Sequence, residues 1–319
     1  MTWSQLVMMG GFILSAYAVV GNDVIQTLGT FLSSNRQRPW YILWLFAGGI
    51  MTITLIYGWA NYGGDVSYGR LERIQQPETY QWPYLLPPLA LMLLTRLGIP
   101  ASTTFMILSF FAAGKTLESM INKSLVGYGV ALLAAGAGYF LLVRKAEKYF
   151  VENPMLDRQR TLWTVFQWSA TTFLWSQWLI QDLANIYIYL PAKLSAGVLS
   201  SSLAVLLAML GYIFYSKGGK IQQIVESKIN TADIRSATLI DVLFGIILYL
   251  FKEQSKIPMS TSWVFVGLLA GRELALRYAF DQRFGPQTLR MVAFDLGKIM
   301  LGLVVSIGLV FIIRWLTVG

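Results

Sequence analysis

The stretch "GIPASTTFMILSFF" (residues 98–111) sets a proline, a serine and two threonines inside an otherwise apolar region, and a close echo, "IPMSTSWVFVGLLA", occupies residues 257–270. Aligning Ile99-Pro100-x-Ser102-Thr103-Thr104 on Ile257-Pro258-x-Ser260-Thr261-Ser262 gives an offset of 158 residues. A second pair agrees: "GNDVIQTLG" (21–29) falls on "IQDLANIYI" (180–188), with Asp23 over Asp182 at an offset of 159. Two unrelated motifs at nearly one offset, close to half of a 319-residue chain, mark an internal duplication.

Composition sets the class. The chain is 55 % hydrophobic and only 13 % charged, where a soluble domain carries roughly 25 % charged residues. Runs such as Trp40 to Ala60 and Ser124 to Val143 reach the ~20 apolar residues that span a bilayer. Aromatic residues at Trp40, Trp82, Tyr84, Trp163 and Trp315 suit anchoring at the membrane–water interface. Cysteine and histidine are both absent. That removes disulfides, thiolate metal sites, Cys or His nucleophiles and His proton relays, so no enzyme is expected. The formal net charge of +9 is expected to record basic cytoplasmic loops rather than a nucleic-acid partner. The N-terminal apolar run lacks a basic leader, and no cleavable signal peptide is expected.

Each half parses alike. A first helix carries the Asp motif mid-way (about 5–33, and 162–190), and a plain span follows (40–60, and 194–216). Next comes a segment of 14 residues, Tyr84 to Leu97 or Thr238 to Phe251. At 1.5 Å per residue it reaches roughly 21 Å, short of the ~30 Å hydrocarbon core. Such a segment is expected to enter and turn back, with the Pro-Ser-Thr stretch as its tip and a short returning helix (about 103–114, or 261–271). A last span closes each half (124–144, and 291–313). The predicted fold is therefore an all-α polytopic membrane protein with two repeats, residues 1–160 (hairpin 84–114) and 161–319 (hairpin 238–272). Each has three spans, the first one broken, plus one re-entrant hairpin. An odd number of crossings inverts the second repeat relative to the first.

Basic residues test that topology. Fifteen fall on one side: Arg36, Arg38, Arg144, Lys145, Lys148, Arg158, Arg160, Lys217, Lys220, Lys228, Arg235, Arg272, Arg277, Arg283 and Arg290. Six fall on the other: Arg70, Arg73, Lys115, Lys123, Lys193 and Arg314. The richer side is expected to be cytoplasmic, which puts both termini outside an inner (plasma) membrane. Arg96, Lys252, Lys256 and the Asp295–Lys298 pair sit near membrane depth and are assigned no role in the site.

The polar motifs suggest chemistry. Broken helices survive in a bilayer only where they are buried or line a cavity. At each tip the N–H groups and dipole of the returning helix favour an anion. Two such N-termini meeting near the midplane would hold a small oxyanion with Ser102, Thr103, Thr104, Ser260, Thr261 and Ser262. Asn22, Asp23 and Gln26 share one helical face, as do Gln181, Asp182 and Asn185. Their oxygens are hard ligands suited to Na⁺. An ionised Asp costs about 3 kcal/mol at mid-bilayer and is not expected to face lipid unpaired.

These motifs resemble those of the inorganic phosphate transporter (PiT) family, whose two inverted repeats each carry a Gly-Ala-Asn-Asp signature and a Pro-x-Ser-Thr-Thr tip. "GNDVIQTLGT" and "QDLAN" look like the two signatures, and "IPASTTF" and "IPMSTSW" are similar to the tips. Gln181 replaces the Asn of the second signature, and Phe105 and Trp263 stand where the family has His. The resemblance implies secondary active import of phosphate coupled to Na⁺ or H⁺, by alternating access around the midplane site. Asn22, Asp23, Asp182 and Asn185 would hold Na⁺ and line the substrate, and the tip hydroxyls would bind the anion. Sulfate or another oxyanion on the same fold, and a passive anion channel, are the alternatives. The resemblance also admits a homodimer.

Overall fold

The computed structural model describes residues 2–74, 76–97, 99, 101–111, 115–217, 233–250, 260–281 and 286–318. Among them the regular structure is all helical, and five helices are long and apolar enough to cross a membrane: Trp3–Ser34, Trp40–Asn61, Gly129–Glu152, Ala196–Tyr215 and Arg290–Ile312. The chain is an α-helical, multi-pass membrane protein.

The first helix begins at a capping box, in which Thr2 and Gln5 each bond the other's backbone N–H. It runs as α1 (Trp3–Val19), one π-helical turn (Val20–Val24) and α2 (Ile25–Ser34). The expected break is thus a widened turn rather than an interruption. Five residues in π geometry carry Asn22 and Asp23 without exposing a helix end. α3 (Trp40–Asn61) starts after Pro39, which cannot continue a helix from its N-terminal side. A short 3₁₀ turn (Trp82–Leu85) leads into α4 (Leu86–Arg96), with prolines in its first turn, where no N–H partner is lost. α5 (Thr103–Phe111) packs back against α4. These helices have 11 and 9 residues, roughly 16 and 14 Å long, so neither alone crosses the core.

A continuous rod follows: α6 (Lys115–Gly138), a second π turn (Tyr139–Val143) and α7 (Arg144–Glu152). It is longer than the predicted span of 124–144. α8 (Asp157–Tyr187) has 31 unbroken residues, so the second signature sits in its last turns rather than at a mid-helix break. Its length suffices to cross a bilayer, but its polar residues Gln167, Thr171, Gln181, Asp182 and Asn185 are buried in the bundle. α9 (Ala196–Tyr215) starts at the Ser195 cap. α10 (Ile234–Leu250), α11 (Thr261–Asp281) and α12 (Pro286–Val318) complete the chain. Pro100, Pro258, Lys252 and Lys256 lie outside the described residues.

α11 differs from the short returning helix expected over 261–271: it continues to Asp281. Two features let it do so. Arg272, 5 % exposed, pairs with the equally buried Glu147 of α7 at 3.2 Å, so its charge does not need water. Glu147 also accepts from Tyr139 and, at 2.9 Å, from Ser236. Arg235 is buried too, bonded to Asp233 and to the carbonyls of Phe150 and Asn153. Neither arginine is therefore the solvated flanking charge that the sequence suggested. The second feature is Gly267-x-x-x-Gly271, a spacing that lets membrane helices touch backbone to backbone. A Cβ on Gly271 would lie 2.4 Å from the Gly136 carbonyl oxygen, and one on Gly267 would lie 2.5 Å from that of Leu132.

Contacts run in pairs. α4 packs on α1 and α10 on α8; α5 packs on α8 and α12, and α11 on α2 and α6; α3 and α9 face each other. α1–α2 and α8 run antiparallel: Asn35 bonds Gln167 at one end, and Ser15 donates to the Asn185 carbonyl toward the other.

Gly271→Ala should destabilise the protein by about 1–3 kcal/mol through overpacking, seen as a melting temperature several degrees lower in detergent. Gly297→Ala, with no heavy atom near the added methyl, should leave the melting temperature close to that of the unsubstituted protein.

Candidate functional site

The π turn, the α5 N-terminus and the end of α8 converge on one buried cluster. Asn22, Asp23, Asp182 and Asn185 are fully buried, and Gln26, Ser102 and Thr103 nearly so. Helix periodicity alone cannot bring Asp23 and Asp182 together, since they lie on different elements; the first hairpin tip does it. The Thr103 hydroxyl donates to Asp23 Oδ2 at 2.7 Å and accepts from Asn185 Nδ2 at 3.2 Å. Thr104 donates to Asp182 Oδ1 at 2.9 Å and accepts from Asn185 Nδ2 at 3.1 Å. Asn185 also donates to Asp182 Oδ1 at 2.8 Å.

Local geometry explains how the tip is held. Ser102 caps α5, its hydroxyl accepting from the Phe105 N–H at 3.2 Å. The neighbouring Ala101 carbonyl accepts twice, from Asn22 Nδ2 at 3.2 Å and from Ser262 Oγ at 3.0 Å. The second of these bonds brings the start of α11 against the start of α5, so two helix N-termini face one polar centre. Asn22 Nδ2 further donates to Asp23 Oδ1 at 2.6 Å, and Gln26 Nε2 donates to Asn22 Oδ1 at 3.2 Å. Phe105 and Trp263 are buried in the apolar core behind the two tips.

The expected site residues therefore gather from both halves of the chain, but their hydroxyls are not idle. Thr103 and Thr104 spend their protons on carboxylates, and Ser102 and Ser262 are engaged with backbone. Ser260 is the counterpart of Ser102 at the start of α11, where its carbonyl takes the first helical bonds. Its buried hydroxyl, unlike that of Ser102, has no hydrogen-bond partner among the described residues. Gln26 Oε1 and Asn185 Oδ1 are likewise buried without one. Thr261 is buried as well, and Gln181 turns its backbone carbonyl to Arg70 of the 62–81 loop.

Chemically, the centre is rich in acceptors. Asn22 and Thr103 donate to Asp23, and Thr104 and Asn185 donate to Asp182; all four donors are neutral. Oxygens left over on Gln26, Asn185 and Ser260 extend a hard-ligand set of the kind that takes a small cation.

Two buried carboxylates on helices escaped the motif reading. Asp241 of α10 is fully buried and accepts from Thr30 of α2 and, at 2.6 Å, from Thr171 of α8. Glu147 is the other. Asp241 had a legible signal, a lone acid in the apolar run "TLIDVLFGIILYL", because an ionisable residue within a membrane segment is functional by default. Glu147 lay in a charge-rich helix end and carried no such mark.

No family model, curated protein or solved structure matches the chain.

Thr103→Val should strip Asp23 and Asn185 of a shared partner and cost about 1–3 kcal/mol of stability, read by thermal melting. Thr95→Val, which loses only a bond to a carbonyl within its own helix, should cost far less.

Proposed function

We propose that the protein is a secondary active transporter that imports inorganic phosphate together with Na⁺ or H⁺, by alternating access around the buried cluster. The observation that carries this reading is the first tip's pair of threonines, which bond the signature aspartates of both halves of the chain. A cluster of two carboxylates and neutral donors repels a lone oxyanion. Cations or protons that neutralise Asp23 and Asp182 would free the Thr103 and Thr104 hydroxyls to turn toward the anion. Ion and anion then bind together or not at all, which is the physical basis of coupling. Asn22, Asp23, Asp182 and Asn185 would take Na⁺, with Gln26 and Gln181 beside them. Ser102, Thr103, Thr104, Ser260, Thr261 and Ser262 would take the oxyanion, aided by the two helix N-termini.

The two-repeat reading, 1–160 and 161–319 with inverted topology, rests on the motif offsets and is supported by the paired helix contacts. It is also supported by the antiparallel course of the two signature helices. In such architectures one bundle rocks against the other around a midplane site. Here that motion would part the tip bonds to Asp23 or Asp182. An inner-membrane location with both termini outside follows from the basic-residue asymmetry.

In proteoliposomes, labelled phosphate uptake should accelerate with an inward gradient of Na⁺ or H⁺. Asp23→Asn and Asp182→Asn should each reduce it at least about tenfold, the scale of losing a charged hydrogen bond of ~1.5–3 kcal/mol. Competition by unlabelled sulfate stronger than by phosphate would reassign the substrate. Uptake indifferent to either gradient and to both substitutions would overturn the coupled mechanism.

A further inference from the structure

A buried polar column leaves the central cluster along α2. Below Asp23, the residues Thr27, Thr30, Ser33 and Asn35 are all buried, as are Gln167 and Thr171 on the facing side of α8. Hydrogen bonds occur at several of its levels. Thr27 Oγ1 donates to the Asp23 carbonyl at 2.8 Å, and Ser34 Oγ donates to the Thr30 carbonyl at 2.9 Å. Gln167 donates to the Ser34 hydroxyl and accepts from Asn35 at 2.8 Å. At the end, Asn35 Oδ1 accepts from Nε of the exposed Arg38 at 3.2 Å. Asp241 sits within this column, bonded through one carboxylate oxygen to Thr30 and through the other to Thr171.

Membrane helices do not bury a row of hydroxyls, amides and an acid at no cost, so the column calls for a use. We infer that Asp241, with Thr30 and Thr171, is a proton-binding site separate from the central cluster, and that the column connects it to the membrane face where α2 ends. The step is a simple transfer. A proton from water on that face bonds to a carboxylate oxygen of Asp241 and later returns to water, with no other bond made or broken. The inference rests on the transport reading in one respect, that this proton moves with the oxyanion.

Geometry favours a proton over a metal ion. Thr171 approaches the carboxylate at 2.6 Å, and Thr30 is bonded to its other oxygen. Both hydroxyls thus direct hydrogens at Asp241. One carboxylate and two donating hydroxyls fall short of the all-oxygen shell that hard cations take. A proton needs only the carboxylate and a route.

The elements packed against α10 carry the following charges. α2 has none between Asp23 and Arg36, and α8 has none between Arg160 and Asp182. On α10 itself Arg235 is bonded to Asp233. On α7 and α11, Glu147 and Arg272 pair with each other, Arg144 lies over the Phe140 and Tyr278 rings, and Lys148 pairs with Glu152. Lys145 and Glu273 also belong to those two helices, as do Arg277 and Asp281, and α6 carries Lys115, Glu118 and Lys123. Among the described residues, the hydrogen bonds to Asp241 come from Thr30 and Thr171, its neutral partners.

The test is infrared difference spectroscopy of the full-length protein in lipid, stepped in pH, combined with phosphate uptake driven by an imposed pH gradient. The expected result is a protonated-carboxyl C=O band lost at high pH, absent in Asp241→Asn and retained in Asp23→Asn and Asp182→Asn. Asp241→Asn should also make uptake at least about tenfold less responsive to the pH gradient, as when an interaction of ~1.4 kcal/mol or more is lost. Asp241→Glu should restore both signals, which separates titration from mere folding. A band unchanged in Asp241→Asn overturns the proton site. The band without any phosphate uptake by the unsubstituted protein leaves the site standing and sinks the transport reading. Uptake that keeps its pH-gradient response in a folded Asp241→Asn protein overturns the role in coupling.

Discussion

Two carboxylates held in the interior of a membrane bundle are the constraint around which the molecule is arranged. Asp23 and Asp182 cannot be left to lipid, where even one ionised acid costs about 3 kcal/mol. Among the described residues, the side chains that donate hydrogen bonds to them are neutral. Thr103, Thr104, Asn22 and Asn185 supply those bonds. Neutral donors stabilise a carboxylate yet leave room for a cation or proton to compete. In this the cluster differs from a buried ion pair.

Glu147 and Arg272 show the opposite solution in the same chain. There a buried acid meets a buried guanidinium at 3.2 Å, with Tyr139 and Ser236 completing its shell. Breaking such a pair strands a charge at a cost of about 3–5 kcal/mol, so α7, α10 and α11 are held together as one body. The glycine contacts between α11 and α6 reinforce it. α11 is fastened to α6 and α7 around Gly267, Gly271 and Arg272, and its polar start meets α5 through the Ser262–Ala101 bond. α5 is shorter and tied by its tip to both signature helices. α5 and α11 thus differ in what anchors them, although the sequences at their starts are nearly alike.

The π turn shows how little distortion a membrane helix needs in order to carry a site. A broken helix would leave several backbone groups to be satisfied in hydrocarbon. Widening one turn rotates Asn22 and Asp23 inward while the rod continues to Ser34. The second signature reaches the same end by position, since α8 stops at Tyr187, shortly after Asn185.

Sequence alone established the membrane class, five long apolar helices and the recurrence of two motifs, because hydropathy and spacing are properties of the chain taken in order. It also named the residues that meet at the cluster, since polar groups in apolar runs are rare and therefore conspicuous. It did not determine that the tip threonines are bonded to the aspartates, that Arg272 is neutralised by Glu147, or that α11 extends past Gly271. It left Asp241 unconnected to Thr30 and Thr171, which lie 211 and 70 residues away. Those facts depend on which helix faces are brought together, and no local period encodes that. Packing decides it: in lipid a helix turns toward whatever partner satisfies its polar atoms and admits its backbone most closely.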